Sequence, residues 1–371
     1  MVKTRMARPP FHADQVGSLL RPKELHDARA AHKAGKLSAA ELKKVEDRSI
    51  EHAVKKQEAV GLQAVTDGEF RRDFWHLDFL KQLDGVELVK VQGMTFNAED
   101  VPPMASVTGK LGCSRPIMVD HFAYLKSVTT RMPKFTMPSP GSAHFRGGRN
   151  AISRTVYPDL EEFWADLGAA YRKAIGHLHD AGCRYVQLDD VGFSYLCDEK
   201  VRENFRKNGD DPDDLPRAYA DAINAALEDR PADLGVTMHT CRGNFRSTWF
   251  AAGGYQDAVV EAMFSAGVDG FFMEWDSERA GGFAPLRLLP KGKKVVLGLV
   301  TTKSGTLESK DSLKRRIDEA AKIVPLENLC LSPQCGFAST HHGNKLSEDE
   351  QWRKLERIVE VAGEVWPGRA A

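Results

Sequence analysis

The feature that most constrains how this chain folds is a series of about eight short apolar strands, each followed by a helical segment. The strands read at residues 13–18, 62–69, 133–140, 185–190, 236–241, 270–276, 294–301 and 328–336. The later ones have no interior polar break, the pattern of parallel strands covered on their outer face. Between them, Leu160, Phe163, Leu167, Tyr171, Ala174 and Leu178 mark one face of an amphipathic helix. The same period recurs on Leu313, Ile317 and Ala320, and on Trp352, Leu355, Val359 and Ala362. The expected class is therefore α/β, a (β/α)8 barrel of the TIM-barrel kind. An open, doubly wound sheet is the competing arrangement. No G-x-G-x-x-G follows the first strand and no G-x-x-x-x-G-K-[ST] occurs, so a nucleotide fold has little support.

Two stretches depart from simple alternation. Residues 23–61 read as an N-terminal helical segment, with Leu42, Val45, Ile50, Val54 and Val60 on a 3.6-residue period. Residues from about 85 to 110, after the second strand, alternate polar and apolar around a Pro-containing link, which predicts a hairpin-like insertion. A length of 371 residues suits one large barrel or two average domains. No repeat or low-complexity linker marks a boundary, so the expectation is a single catalytic barrel over residues 1–371.

Charge narrows the function classes. Basic and acidic residues balance at 52 each, so no basic field for nucleic acid or an anionic membrane is expected. The first ten residues are basic but lack an apolar core, unlike a secretory signal, and no apolar run is long enough to span a bilayer. A cytoplasmic protein with small-molecule partners is the expectation. Its six cysteines are scattered and too few for a disulfide framework in a chain this long. Cys183 and Cys330 read as small buried hydrophobes.

In a barrel, chemistry collects where strands meet the loops that follow them. The fifth strand ends in His239-Thr240-Cys241, and residues two apart on a strand share a face. The sixth supplies Glu274 and the eighth Cys335, just before Gly336. A His, two Cys and a Glu at one mouth make a tetrahedral zinc set, and the sulfur ligands favour zinc over harder cations. Taken singly, each has a plainer reading: a core histidine, a solvated carboxylate, a buried thiol. On the opposite arc stand Ser18, Glu69, Asp189 and Asp190. Carboxylates there suit a substrate ammonium, and Ser18 with neighbouring N–H groups suits a carboxylate; equally, Glu69 or Asp190 can cap a helix N-terminus.

Val16-Gly17-Ser18, Asp67-Gly68-Glu69, Gln187-Leu188-Asp189, His239-Thr240-Cys241, Glu274 and Pro333-Gln334-Cys335-Gly336 together resemble the cobalamin-independent methionine synthase family. The segments stand in that family's order, and the chain is most similar to its short, single-barrel, methyltransferase-like bacterial members. The resemblance implies zinc on His239, Cys241, Glu274 and Cys335, with Ser18, Glu69 and Asp189 holding the amino-acid part of homocysteine. It implies methyl transfer from a donor such as methyltetrahydrofolate to homocysteine, giving methionine. Glu274, the hard ligand, is the one expected to loosen when the substrate sulfur arrives. One position departs from the family. Where its members carry a His after the seventh strand to protonate the folate leaving group, this chain reads Val300-Thr301-Thr302-Lys303, so Thr301 and Thr302 replace that acid and no proton donor is assigned. His144, Phe145 and Arg146 fall near a folate-contacting Trp of the family without matching it. The acceptor side thus matches better than the donor side. A second reading keeps the chemistry with another thiol, as in epoxyalkane–coenzyme M transferases. A third is a non-catalytic metal-binding barrel, or a decarboxylase of the uroporphyrinogen type.

Overall fold

Among the described residues ten strands are formed: β1 (Ala64–Val65), β2 (Asp84–Val89), β3 (Met104–Gly112), β4 (Met132–Pro133), β5 (Phe135–Pro138), β6 (Tyr185–Asp190), β7 (Gly235–Thr240), β8 (Gly270–Glu274), β9 (Lys294–Val300) and β10 (Leu329–Pro333). The structure, a computed structural model, describes residues 8–90, 103–251 and 253–368. The basic start over residues 1–7 and the Pro-containing link within the insertion lie outside these. The principal sheet runs in the order β10-β9-β8-β7-β6-β5 with every neighbouring pair parallel. A second, two-stranded parallel sheet pairs β1 with β4.

Parallel neighbours need crossover connections, and helices supply them. Residues Leu160–Asp180 form the helix between β5 and β6, capped by the Asp159 carboxylate on the N–H groups of Glu161 and Glu162. Its buried face carries Phe163, Leu167, Tyr171, Ala174 and Leu178. With both faces of the parallel sheet covered, β5, β6, β8 and β10 are buried at every residue. Among the described residues, no helix is long and apolar enough to cross a membrane.

The first expected strand is the principal departure. Only Ala13 forms a ladder contact, a parallel bridge to Leu331 with Asp14 N donating to Leu331 O at 3.1 Å. The rest of that segment is held by side chains: Lys134 donates to Gln15 O, Gln187 to Val16 O and Thr66 Oγ1 to Gly17 O. Carbonyls satisfied in this way have no need of a neighbouring strand. The helical segment also divides in two, Lys23–Lys33 and Ala39–Val60. The break contains Gly35 in the left-handed region, and Ser38 with Glu41 forms a capping box that starts the second helix. The insertion forms as expected of its alternation: β2 and β3 pair antiparallel.

Candidate metal centre and adjoining cleft

The period of two along β7 sets the site. His239 pairs in register with Asp189 of β6 and Phe272 of β8, and Cys241 follows where the strand ends. The loop leaving β10 brings Cys335 to the same place. Its return is tight. A Cβ on Gly336 would lie 2.0 Å from Ser18 Oγ, so a glycine is required for the loop to pack on the Ser18 segment. Gly336 O is in turn held by Asn244 at 2.8 Å and Thr302 Oγ1 at 3.1 Å.

His239, Cys241 and Cys335, all buried, present ligand atoms within 4.8 Å of one another. The two sulfurs are 3.3 Å apart and unbridged. Neither ring nitrogen of His239 has a hydrogen-bond partner, an orphaned state that costs free energy in a buried imidazole unless something else is bound there. A borderline nitrogen and two soft sulfurs fit zinc. The thiol of Cys241 hydrogen-bonds the Cys335 sulfur, which pulls the Cys335 pKa well below that of an ordinary thiol and pushes Cys241 up. Burial works against a charged His239. The Cys335 sulfur, Asp189 and Glu274 outweigh it and raise that pKa.

Glu274 stands outside this three-residue group. Its carboxylate accepts from Arg242 N at 3.1 Å, pairs with Arg279 and lies 3.4 Å from Lys303 Nζ. The same two cations reach Asp276, at 3.6 Å from Arg279 and 3.5 Å from Lys303. Burial disfavours the Lys303 ammonium, but Glu274, Asp276 and the two sulfurs more than offset it and raise its pKa. Lys303, Arg279 and Asp276 were not picked out as site residues from the sequence. The strand-end rule that selected Glu274 extends to Lys303, which closes the Thr301-Thr302-Lys303 turn after β9. Thr301 itself hydrogen-bonds Asp276 at 2.8 Å, and Thr302 Oγ1 bonds Gly336 O.

One cleft, with about 820 Å³ of empty space including its open mouth, is lined by His239, Cys241 and Cys335 together with Ser18, Glu69 and Asp189. Glu69 follows Gly68, and both lie in the left-handed region, at φ +60° and +65°. A non-glycine residue there is strained, and such strain concentrates at functional sites. Its Oε1 accepts from Thr136 Oγ1 at 2.8 Å while Oε2 is buried without a partner. Burial raises the Glu69 pKa, with Arg72 opposing. Burial also pushes Asp189 up to about 7, although His239 opposes it. Asp189 Oδ1 accepts from Gln187 at 2.7 Å. Ser18 Oγ accepts from Ala338 N at 3.3 Å. Asp190 plays the plainer part: it accepts from Phe193 N at 3.0 Å at the start of the short helix Gly192–Tyr195, and from Ser139. The cleft is completed by Trp75, His76, Phe145, Arg146 and Tyr195, among others. His76 and Tyr195 went unnoticed in the sequence because they belong to loops and a short helix with no periodic signal.

Known proteins resemble the chain over most of its length. The profile of the family described as "Cobalamin-independent synthase, Catalytic domain" matches residues 11–364. "Uncharacterized protein YxjH" of Bacillus subtilis is 47% identical over 367 residues, covering 98% of this chain and 96% of the relative. A methionine synthase of Saccharolobus solfataricus is 25% identical, covering 93% and 92%. Among solved structures, a candidate vitamin-B12-independent methionine synthase of Listeria monocytogenes superposes with a TM-score of 0.78 at 41% identity, covering 97% of this chain and 99% of that one.

Proposed function

Given that the chain belongs to the cobalamin-independent methionine synthase family, by its catalytic domain, we propose that it is a zinc-dependent methyltransferase with homocysteine as acceptor and methionine as product. The observation that carries this reading is the convergence of three metal-ligating side chains with Ser18, Glu69 and Asp189 in one cleft. His239, Cys241 and Cys335 would hold the metal, with Glu274, which Arg279 and Lys303 hold here, as the fourth ligand. When bound, zinc supplies deprotonation of a substrate thiol at neutral pH, where a free thiol is mostly protonated.

The chain's own residues do the rest. Glu69 and Asp189, with one unpartnered carboxylate oxygen between them, suit an ammonium, which would repay the cost of their burial. Ser18 and backbone N–H groups suit the neighbouring carboxylate. With both ends of the amino acid fixed, the sulfur is directed at the cysteines, a gain in proximity rather than in chemistry. The sulfur then forms a bond to the methyl carbon as the donor's bond to that carbon breaks, its electron pair leaving with the donor. The thiol proton is lost to solvent.

The same reading takes residues 1–371 as one catalytic domain and its strands as a closed (β/α)8 barrel. Support for closure is the Ala13–Leu331 bridge on one side and the β1–β4 pair, continued by β5, on the other. The test is a thiol-consumption assay on the purified protein with homocysteine and folate or corrinoid methyl donors, beside metal analysis. Near-stoichiometric zinc and donor-dependent loss of the homocysteine thiol are expected. Protein that holds no zinc, or consumes a different thiol in preference, sinks the assignment.

A further inference from the structure

The cleft has a second character that the thiol site does not use. Trp75, His76, Phe145 and Tyr195 form a nearly continuous aromatic wall, with ring centroids 4.5, 6.4 and 6.0 Å apart in that order. Two polar groups sit in it. Arg146 places its guanidinium 5.6 Å from the Phe145 ring centroid and forms no ion pair or hydrogen bond among the described residues. His76 is 1% exposed, and both of its ring nitrogens lack a partner. Both residues line the cleft. Elsewhere in the site, cations are matched to acids: Arg279 and Lys303 to Glu274 and Asp276, Arg72 to Glu69. Arg146, like the buried Arg242 that donates to Gly253 O, has no acid partner among the described residues.

A guanidinium partly withdrawn from water without a counter-ion is under-satisfied, and a fully buried imidazole with nothing to bond is costly. One ligand repays both. The planar fork of an arginine matches the geometry of an oxyanion, and a neutral imidazole adds one N–H donor. We propose that Arg146 and His76 form an oxyanion-binding subsite of the cleft, which takes a carboxylate, sulfonate or phosphate group carried by a small-molecule substrate. The subsite differs in sign from Glu69 and Asp189, which suit a cation. It rests on the reading of this cleft as a substrate site. The anion has two bearers to separate by experiment: an acidic group on the methyl donor, or the carboxylate of the amino-acid thiol, which would then sit here in place of the Ser18 contact.

The test is calorimetric binding to the protein as purified, comparing wild type with Arg146→Gln, Arg146→Lys and His76→Gln. The probes form two pairs: homocysteine and its decarboxylated analogue homocysteamine, and methyltetrahydrofolate and the tail-less methyltetrahydropterin. Arg146→Gln is expected to weaken one acid-bearing probe by about tenfold or more, and its counterpart lacking that acid by less than about twofold. Arg146→Lys, which keeps the charge, is expected to retain part of the affinity and so separates lost charge from lost packing. Selective loss for homocysteine assigns the anion to the thiol; selective loss for methyltetrahydrofolate assigns it to the donor. Equal loss within both pairs, no loss in either, or no binding of any probe by the wild type overturns the subsite. Zinc content is measured on the same samples. Wild-type protein without zinc would overturn the metal reading alone, because the comparison within each pair turns on the acid group and not on the metal.

Discussion

Cys335 and Cys241 hold their sulfurs 3.3 Å apart beside an imidazole with no hydrogen-bond partner, and that grouping makes metal content the first thing to vary. Replacing Cys335 or Cys241 by Ser removes a soft ligand while keeping size. The expected result is loss of zinc by elemental analysis and a drop in methyl transfer exceeding about a hundredfold, since even the outer partners of metal ligands are worth 10–100-fold. Zinc occupancy unchanged in Cys335→Ser would show that the ligand is elsewhere. The other cysteines differ in kind. Burial pushes Cys183 and Cys330 up to about 12, so at pH 8 almost no thiolate exists at either. Iodoacetamide followed by peptide mass analysis should leave both unlabelled in the folded protein. Added zinc should slow labelling of Cys241 and Cys335 and change nothing at the other four. The plain reading of Cys183 and Cys330 was legible from their neighbours in the sequence. The orphaned His76 and Arg146 were not, because nothing local distinguishes them from solvated loop residues.

At the scale of elements, the critical joint is where the loop leaving β10 meets the Ser18 segment. A Cβ at position 336 would fall 2.0 Å from Ser18 Oγ and 3.2 Å from Ser18 Cβ. Gly336→Ala must therefore displace one loop or the other, at a cost of about 1–3 kcal/mol in denaturant unfolding. Because that loop carries Cys335, homocysteine affinity should fall with it. Adding Ser18→Gly removes the clashing atoms, so the double variant should regain much of the stability but not the thiol affinity. No recovery would mean that the strain lies elsewhere. The period-two and 3.6-residue patterns did locate these elements, because parallel strands buried on both faces and amphipathic helices write their packing into local sequence. The first strand escaped that logic. Its carbonyls are met by Lys134, Gln187 and Thr66, which lie far along the chain, so its apolar spacing does not reveal that it lacks a ladder.

Across the whole molecule, a buried polar centre links the N-terminal segment to the sheet. Lys134 Nζ lies 3.1 Å from Asp14 with both side chains fully buried, and Tyr185 donates to the same carboxylate at 2.9 Å. A buried pair contributes little net stability, but breaking it strands a charge. Lys134→Met should cost about 3–5 kcal/mol by urea unfolding, and Asp14→Leu added to it should recover a large part. If the single variant is as stable as wild type, Asp14 is being neutralised by other means. Since Asp14 also donates its backbone N–H to Leu331 of β10, the single variant should loosen that contact and speed hydrogen exchange at Asp14.

The sequence by itself determined the α/β class, the order of strands and helices, the antiparallel insertion and the strand ends at which chemistry gathers. These follow from local periodicity and from the rule that parallel strands present their following loops at one mouth. It also carried the family resemblance, since His239-Thr240-Cys241 and Pro333-Gln334-Cys335-Gly336 are contiguous motifs. Only the tertiary structure decided that His239, Cys241 and Cys335 converge while Glu274 is held by Arg279 and Lys303. Likewise only it revealed Arg146 and His76 unpaired on the same cleft. Such facts depend on which side chains from distant segments meet, and a desolvated charge finds or lacks its partner in three dimensions, not along the chain.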